Sequence, residues 1–126
     1  MEVYKLINNI KFNSDGLVPV IAQDIKTGSV LMLAYMNKEA IEKTLKEKIV
    51  YYYSRSRQVL WKKGETSGNK QILKAFYYDC DADTILVKVE QIGVACHTGN
   101  YTCFFNKVLD EGKNNVDILK KLYGIV

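Results

Sequence analysis

The chain is short of the residues that break structure: one proline and eight glycines occur among 126 residues, and no stretch rich in serine, proline or glycine divides them. No internal repeat is present either, so residues 1–126 read as one domain without a linker. Charged residues make up only 25% against 48% hydrophobic, which excludes disorder and provides for a genuine core. No run approaches the roughly 18 apolar residues of a membrane span. The opening residues, Met1 to Phe12, carry Glu2, Lys5 and Lys11 and lack the apolar centre of a signal peptide. A soluble, cytoplasmic protein with no membrane partner is expected.

Histidine occurs once and cysteine three times. An odd cysteine count without a secretion signal argues against a disulfide framework. The thiols are then small buried hydrophobes, or they bind metal or catalyse. The net charge of +4 is too mild to demand nucleic acid, but it favours an anionic ligand over a cationic one.

Leu17 to Gln23 and Val30 to Tyr35 are apolar runs separated by a polar stretch containing Gly28, which predicts a hairpin. Asn37 stands as an N-cap for a helix reaching about Lys48, with Glu39 early, Lys43, Lys46 and Lys48 late, and Ile41 and Leu45 on one face. Ile49 to Ser54 and Val59 to Trp61 are β-like, and Gly64 to Asn69 has the residues of a loop. Ile72 to Tyr78 and the alternating Thr84 to Gln91 are further strands, and Tyr101 to Val108 is a last candidate. Val116 to Tyr123 is patterned as a short amphipathic helix ending before Gly124. The fold class is α+β, a largely antiparallel β-sheet with two short helices.

All three cysteines and the histidine lie between Asp79 and Cys103. Thiolates suit zinc, and three protein ligands leave a fourth tetrahedral position for water. Fifteen residues separate Cys80 from Cys96 and six separate Cys96 from Cys103, a spacing that matches no common zinc finger. If His97 also bound the metal, the site would be closed and structural; unligated, it could move protons. Three thiolates leave a zinc site near a net charge of about −1, a weaker Lewis acid than three neutral histidines would make.

Asp79, Asp81 and Asp83 share one face of an extended chain, with Cys80 on the other, and three such carboxylates attract a hard cation such as Mg2+ or form a plain acidic turn. A calcium loop is rejected because Thr84 stands where glycine is required. Arg55, Arg57, Lys62 and Lys63 form the densest basic segment, with Arg55 and Arg57 on one face of a strand. Guanidinium groups suit phosphate, the stretch Thr66, Ser67, Gly68, Asn69 adds hydroxyls and amides, and Trp61 could stack on a base. The plain alternatives are a core tryptophan and a solvated basic strand end.

Several ordered motifs then carry a resemblance: Ser54-Arg-Ser-Arg57, Leu60-Trp61, Lys63-Gly-Glu-Thr-Ser-Gly68, Asp79-Cys-Asp-Ala-Asp83 and Ala95-Cys-His-Thr-Gly99. With Gly16-Leu-Val-Pro19 and Leu31-Met-Leu-Ala-Tyr-Met-Asn37 they make the chain resemble the phosphoribosyl-AMP cyclohydrolases of histidine biosynthesis from about Gly16 to Phe104. The resemblance implies zinc on Cys80, Cys96 and Cys103 and Mg2+ on Asp79, Asp81 and Asp83. It also implies an intertwined homodimer whose zinc sites are shared between subunits. The substrate it implies is 1-(5-phosphoribosyl)-AMP, whose two phosphates give the basic segment around Arg55 to Lys63 a purpose, with Trp61, Thr66, Ser67 and Gly68 as the further expected substrate contacts. Val94 replaces a common proline and Ala82 a common glycine. The chain is expected to be monofunctional, without the pyrophosphohydrolase domain that some members carry.

The chemistry this predicts is attack of metal-activated hydroxide on C6 of the adenine ring, with cleavage of the N1–C6 bond and His97 as the proton carrier. A zinc nucleoside deaminase is the nearest enzymatic rival, but its His-x-Glu and Pro-Cys-x-x-Cys signatures are missing. A basic nucleic-acid-binding module with structural zinc is the rival from another class, and no nucleic-acid partner is expected.

Overall fold

The computed structural model describes residues 2–111. Helix α1 (Glu2–Asn9) is followed by strands β1 (Val18–Asp24) and β2 (Val30–Met36), helix α2 (Lys38–Glu47), and strands β3 (Tyr51–Ser54), β4 (Val59–Lys62), β5 (Gln71–Tyr78) and β6 (Ile85–Gln91). In β1 every second residue from Val18 to Asp24 is buried, and in β6 Ile85, Val87 and Val89 are buried in the same way. This period of two builds one apolar face on a sheet ordered β2-β1-β6-β5. The β1–β2 and β5–β6 pairs are antiparallel and the central β1–β6 pair is parallel, with Val20 aligned between Ala34 and Ile85. The largely antiparallel α+β reading therefore holds.

Helix α2 forms where its end signals lie. The Asn37 side chain accepts from the Ala40 amide at 2.8 Å, and Lys48 closes the other end in a left-handed conformation with its amide on the Thr44 carbonyl at 2.9 Å. Ala40, Ile41 and Thr44 face inward. Helix α1 was not anticipated, although Ile7 and Ile10 are buried in the core and Val3 and Leu6 pack against it. The described residues thus contain two helices, but one of them is α1. The helix expected at Val116 to Tyr123 lies outside the described residues.

The strand expected from Tyr101 to Val108 does not form. The Cys103 amide donates to the Leu31 carbonyl at 2.7 Å and the Thr102 hydroxyl to the Val30 and Leu31 carbonyls at 2.8 and 3.2 Å, so the segment docks on the β2 edge through a few local bonds rather than a ladder. The β3–β4 hairpin is attached to the main sheet by a buried polar chain. The Tyr52 hydroxyl donates to Gln71 Oε1 at 2.6 Å, and Gln71 Nε2 donates to Gln91 Oε1 at 3.0 Å. Tyr52 and Gln71 are both fully buried, and burial pushes the tyrosine hydroxyl's pKa far up. No helix among the described residues is long and apolar enough to cross a membrane.

Candidate active site

A cleft of about 670 Å3 opens between β2, β4, the loop after β4 and the segment Val94 to Cys103. Its walls bring together Arg57, Trp61, Lys63, Thr66, Ser67, Cys96, His97 and Cys103. Residues separated by up to forty-six positions therefore meet around one space, half polar and half apolar in character, as small-molecule sites commonly are. Trp61 is half-buried with its ring 5.2 Å from that of Tyr52, so it serves both the core and the cleft wall. Gly64 turns the chain out of β4 at φ +85°; a Cβ there would sit 2.5 Å from the Lys70 amide nitrogen, so only glycine permits this closure.

The cysteine loop is closed by its own backbone: Ala95 and Cys96 donate to the carbonyls of Tyr101 and Asn100 at 3.0 and 3.1 Å. The Thr98 hydroxyl donates to Cys96 Sγ at 3.0 Å and accepts from the Asn100 amide group at 2.8 Å. Hydrogen bonds from the Thr98 hydroxyl and amide, then Cys103 and the Lys63 charge, hold the buried Cys96 thiol below the usual thiol range against its burial. Burial and the neighbouring Cys96 push Cys103 up. Lys63 Nζ donates to the Ala95 carbonyl at 2.6 Å, and burial lowers its pKa against the opposing pull of Cys103 and Cys96. His97 is exposed on this loop.

Arg55 and Arg57 do not lie on one strand face. Both sit in the four-residue turn that joins β3 to β4, because Gln58 adopts a positive φ of 54° and its amide closes on the Ser54 carbonyl at 2.8 Å. Arg57 lines the main cleft, whereas Arg55 stacks over Tyr35 at 4.1 Å and lines an adjoining cleft of about 570 Å3 with Ser54 and Ser56. Trp61 borders both clefts. Gly68 lines neither; it shapes the loop at φ +80°.

The Asp79–Asp83 segment is a turn rather than an extended strand. The Ala82 amide donates to the Asp79 carbonyl at 3.0 Å, and Asp79 Oδ1 accepts from the Asp83 and Thr84 amides at 3.0 and 3.2 Å. Curling gathers carboxylate oxygens of Asp79, Asp81 and Asp83 within 4.8 Å of one another, all exposed, where they could hold a metal ion. Burial raises Asp79, but the amides and neighbouring carboxyls outweigh it and hold it low; the shared hydrogen bond with Asp81 raises Asp83.

Cys80 lies exposed in that same turn, between β5 and β6, whereas Cys103 docks on β2. These are opposite edges of the sheet, three strand spacings apart, or about 14 Å across. The three cysteines consequently do not meet within one chain, and the aspartates do not enter the cleft. Thr98, Asn100, Tyr101 and Asp24 were missed as supports of the cysteine loop. A hydroxyl two residues after a cysteine was the one available signal, at Thr98.

The family model for phosphoribosyl-AMP cyclohydrolase matches residues 32–105. The chain is 58% identical over 111 residues to the phosphoribosyl-AMP cyclohydrolase of Paramagnetospirillum magneticum, covering 88% of this chain and 84% of that one. It is 61% identical over 93 residues to the Streptococcus mutans protein of the same name, covering 74% and 85%. It is also 50% identical over 117 residues to the histidine biosynthesis bifunctional protein HisIE of Caldanaerobacter subterraneus, covering 93% of this chain but 57% of that one. The chain thus spans between about half and two thirds of the bifunctional relatives it matches. The residues lining the cleft and the cysteine loop all fall inside the matched residues, and the chain belongs to the phosphoribosyl-AMP cyclohydrolase family.

Proposed function

We propose that this chain hydrolyses 1-(5-phosphoribosyl)-AMP, adding water at C6 of the adenine ring and breaking the N1–C6 bond. The product is the formimino imidazole carboxamide ribotide, an intermediate of histidine biosynthesis. The observation that carries this reading is the single cleft in which two thiols and a histidine face an arginine, two hydroxyl residues and a tryptophan.

The donor sets fit two metals. Cys96 and Cys103 are free thiols beside each other, and the donors on Cys96 favour its thiolate, which suits zinc; the three gathered carboxylates of Asp79, Asp81 and Asp83 suit Mg2+. Zinc, held by Cys96, Cys103 and Cys80, would supply Lewis acidity toward the attacking water. Cys80 comes from a second copy of the chain in this scheme, giving a homodimer with shared zinc sites. Two features support it: the placement of Cys80 and Cys103 at opposite sheet edges, and the exposed aromatics Tyr77, Tyr78, Phe104 and Phe105 that flank the two half-sites.

The protein's own groups do the remaining work. His97, exposed beside Cys96, takes a proton from the attacking water and returns it to the departing N1 nitrogen. Trp61 supports the ring. Arg57, with the Thr66 and Ser67 hydroxyls, holds one phosphate in the main cleft, and Arg55, with Ser54 and Ser56, holds the other in the adjoining cleft across Trp61. Saturable ring opening of 1-(5-phosphoribosyl)-AMP, followed by ultraviolet absorbance, tests this. Salt-steep binding to oligonucleotides without turnover would replace it with a nucleic-acid module.

A further inference from the structure

Lys63 belongs to the basic segment that charge alone would assign to phosphate, yet its ammonium is directed elsewhere. Nζ donates to the Ala95 carbonyl at 2.6 Å, one residue before Cys96, and the side chain is half-buried in the wall of the cleft that holds Cys96 and Cys103. It also lies 5.6 Å from the Trp61 ring centroid, which limits where it can swing. Within the same loop, Asn100 donates to the Thr98 hydroxyl at 2.8 Å, and that hydroxyl donates to Cys96 Sγ at 3.0 Å. A cation anchored one residue before Cys96 and a hydroxyl directed at its sulfur thus stand in the loop and cleft wall beside the thiols, where thiolate charge would otherwise lack a counter-charge in a partly buried place.

We propose that Lys63 and Thr98 are positioning residues of the thiolate metal site: Lys63 supplies its counter-charge and pins the Ala95–Cys96 backbone, and Thr98 orients Cys96 through a hydrogen bond to sulfur. The proposal rests on the reading of Cys96 and Cys103 as zinc ligands. Donors around coordinated thiolates draw off sulfur charge, so they offset the weak Lewis acidity that three thiolates would otherwise give. Lys63 is thereby separated from the phosphate contacts, which fall to Arg55 and Arg57.

The test is zinc affinity of the full chain, measured at fixed neutral pH by competition with a chromophoric chelator, alongside KM at saturating zinc. Lys63→Met should weaken zinc about 10- to 100-fold, the range for loss of an outer partner of a metal ligand, with KM close to that of the unaltered chain. Thr98→Val should weaken it about tenfold and Thr98→Ser should restore it. Should Lys63→Met fail to fold, the Thr98 pair carries the test alone. Unchanged zinc affinity in Lys63→Met with a raised KM would return Lys63 to phosphate binding and overturn the proposal. An unaltered chain that binds no zinc would instead sink the metal reading beneath it.

Discussion

The Tyr101 hydroxyl donates a hydrogen bond to the Asp24 carboxylate, tying the cysteine loop to the end of β1 across 77 residues of sequence. Burial pushes the Asp24 carboxyl up, but Tyr101, the Lys26 and Thr27 amides and the Lys26 charge outweigh it and hold it below the ordinary 3.8. A carboxyl depressed in the folded state adds stability above its unfolded pKa and loses that contribution as pH falls through the folded value. Tyr101→Phe should therefore destabilise the chain by about 1–2 kcal/mol near neutral pH. Thermal melts should show the gap to the unaltered chain closing as pH drops below 3.8. A gap that persists undiminished into strong acid contradicts this account of the bond.

Tyr52→Phe removes the donor to Gln71 Oε1 inside the core and leaves that oxygen unsatisfied. The expected cost is about 1–3 kcal/mol, read as a lower urea midpoint with an unchanged slope. A midpoint equal to that of the unaltered chain would mean that Gln71 finds another donor.

Ala82 holds a left-handed conformation at φ +61° in the aspartate turn. The penalty of about 1–2 kcal/mol for such a residue is offset in part by the extra unfolded-state freedom of glycine, about 0.4–1 kcal/mol. Ala82→Gly should raise stability by up to about 1 kcal/mol and leave Mg2+ binding in place. A loss of stability in urea melts would show that the alanine methyl packs favourably.

Features governed by near neighbours could be read from the sequence. Asn37, Lys48 and the alternation in β6 act within a few residues, and each element formed where its signals stood. Val3, Leu6, Ile7 and Ile10 have helical spacing too, but the run is short and its stability comes from packing that only the folded chain supplies. Tyr101 to Val108 has strand composition, yet a strand needs a partner ladder, and the free β2 edge receives only the Cys103 amide and the Thr102 hydroxyl there. For the site, residue types were readable and directions were not. Arg55 and Arg57 alternate as strand residues would, but Gln58 turns the chain between β3 and β4 and sends them to different clefts.

The shared-site reading makes a mixing prediction. Cys80→Ala and Cys96→Ala should each be inactive alone. Unfolded and refolded together in equal amounts, half of the dimers become mixed, each with one intact site of two, so about one quarter of full activity should return. Continued inactivity of a mixture shown to contain mixed dimers would place all the ligands of each site in one chain.

Hydrolysis of the adenine ring is assigned to the cleft around Cys96 and His97. Turnover of 1-(5-phosphoribosyl)-AMP and bound zinc should be measured together in the unaltered chain, in Cys96→Ala and in His97→Ala. Zinc and saturable turnover are expected in the first and neither in the second. His97→Ala should retain zinc with turnover lowered about 100- to 10,000-fold, the range for loss of a proton-transfer group. Full turnover in zinc-free Cys96→Ala would rule out a thiolate-held metal as the source of the activity.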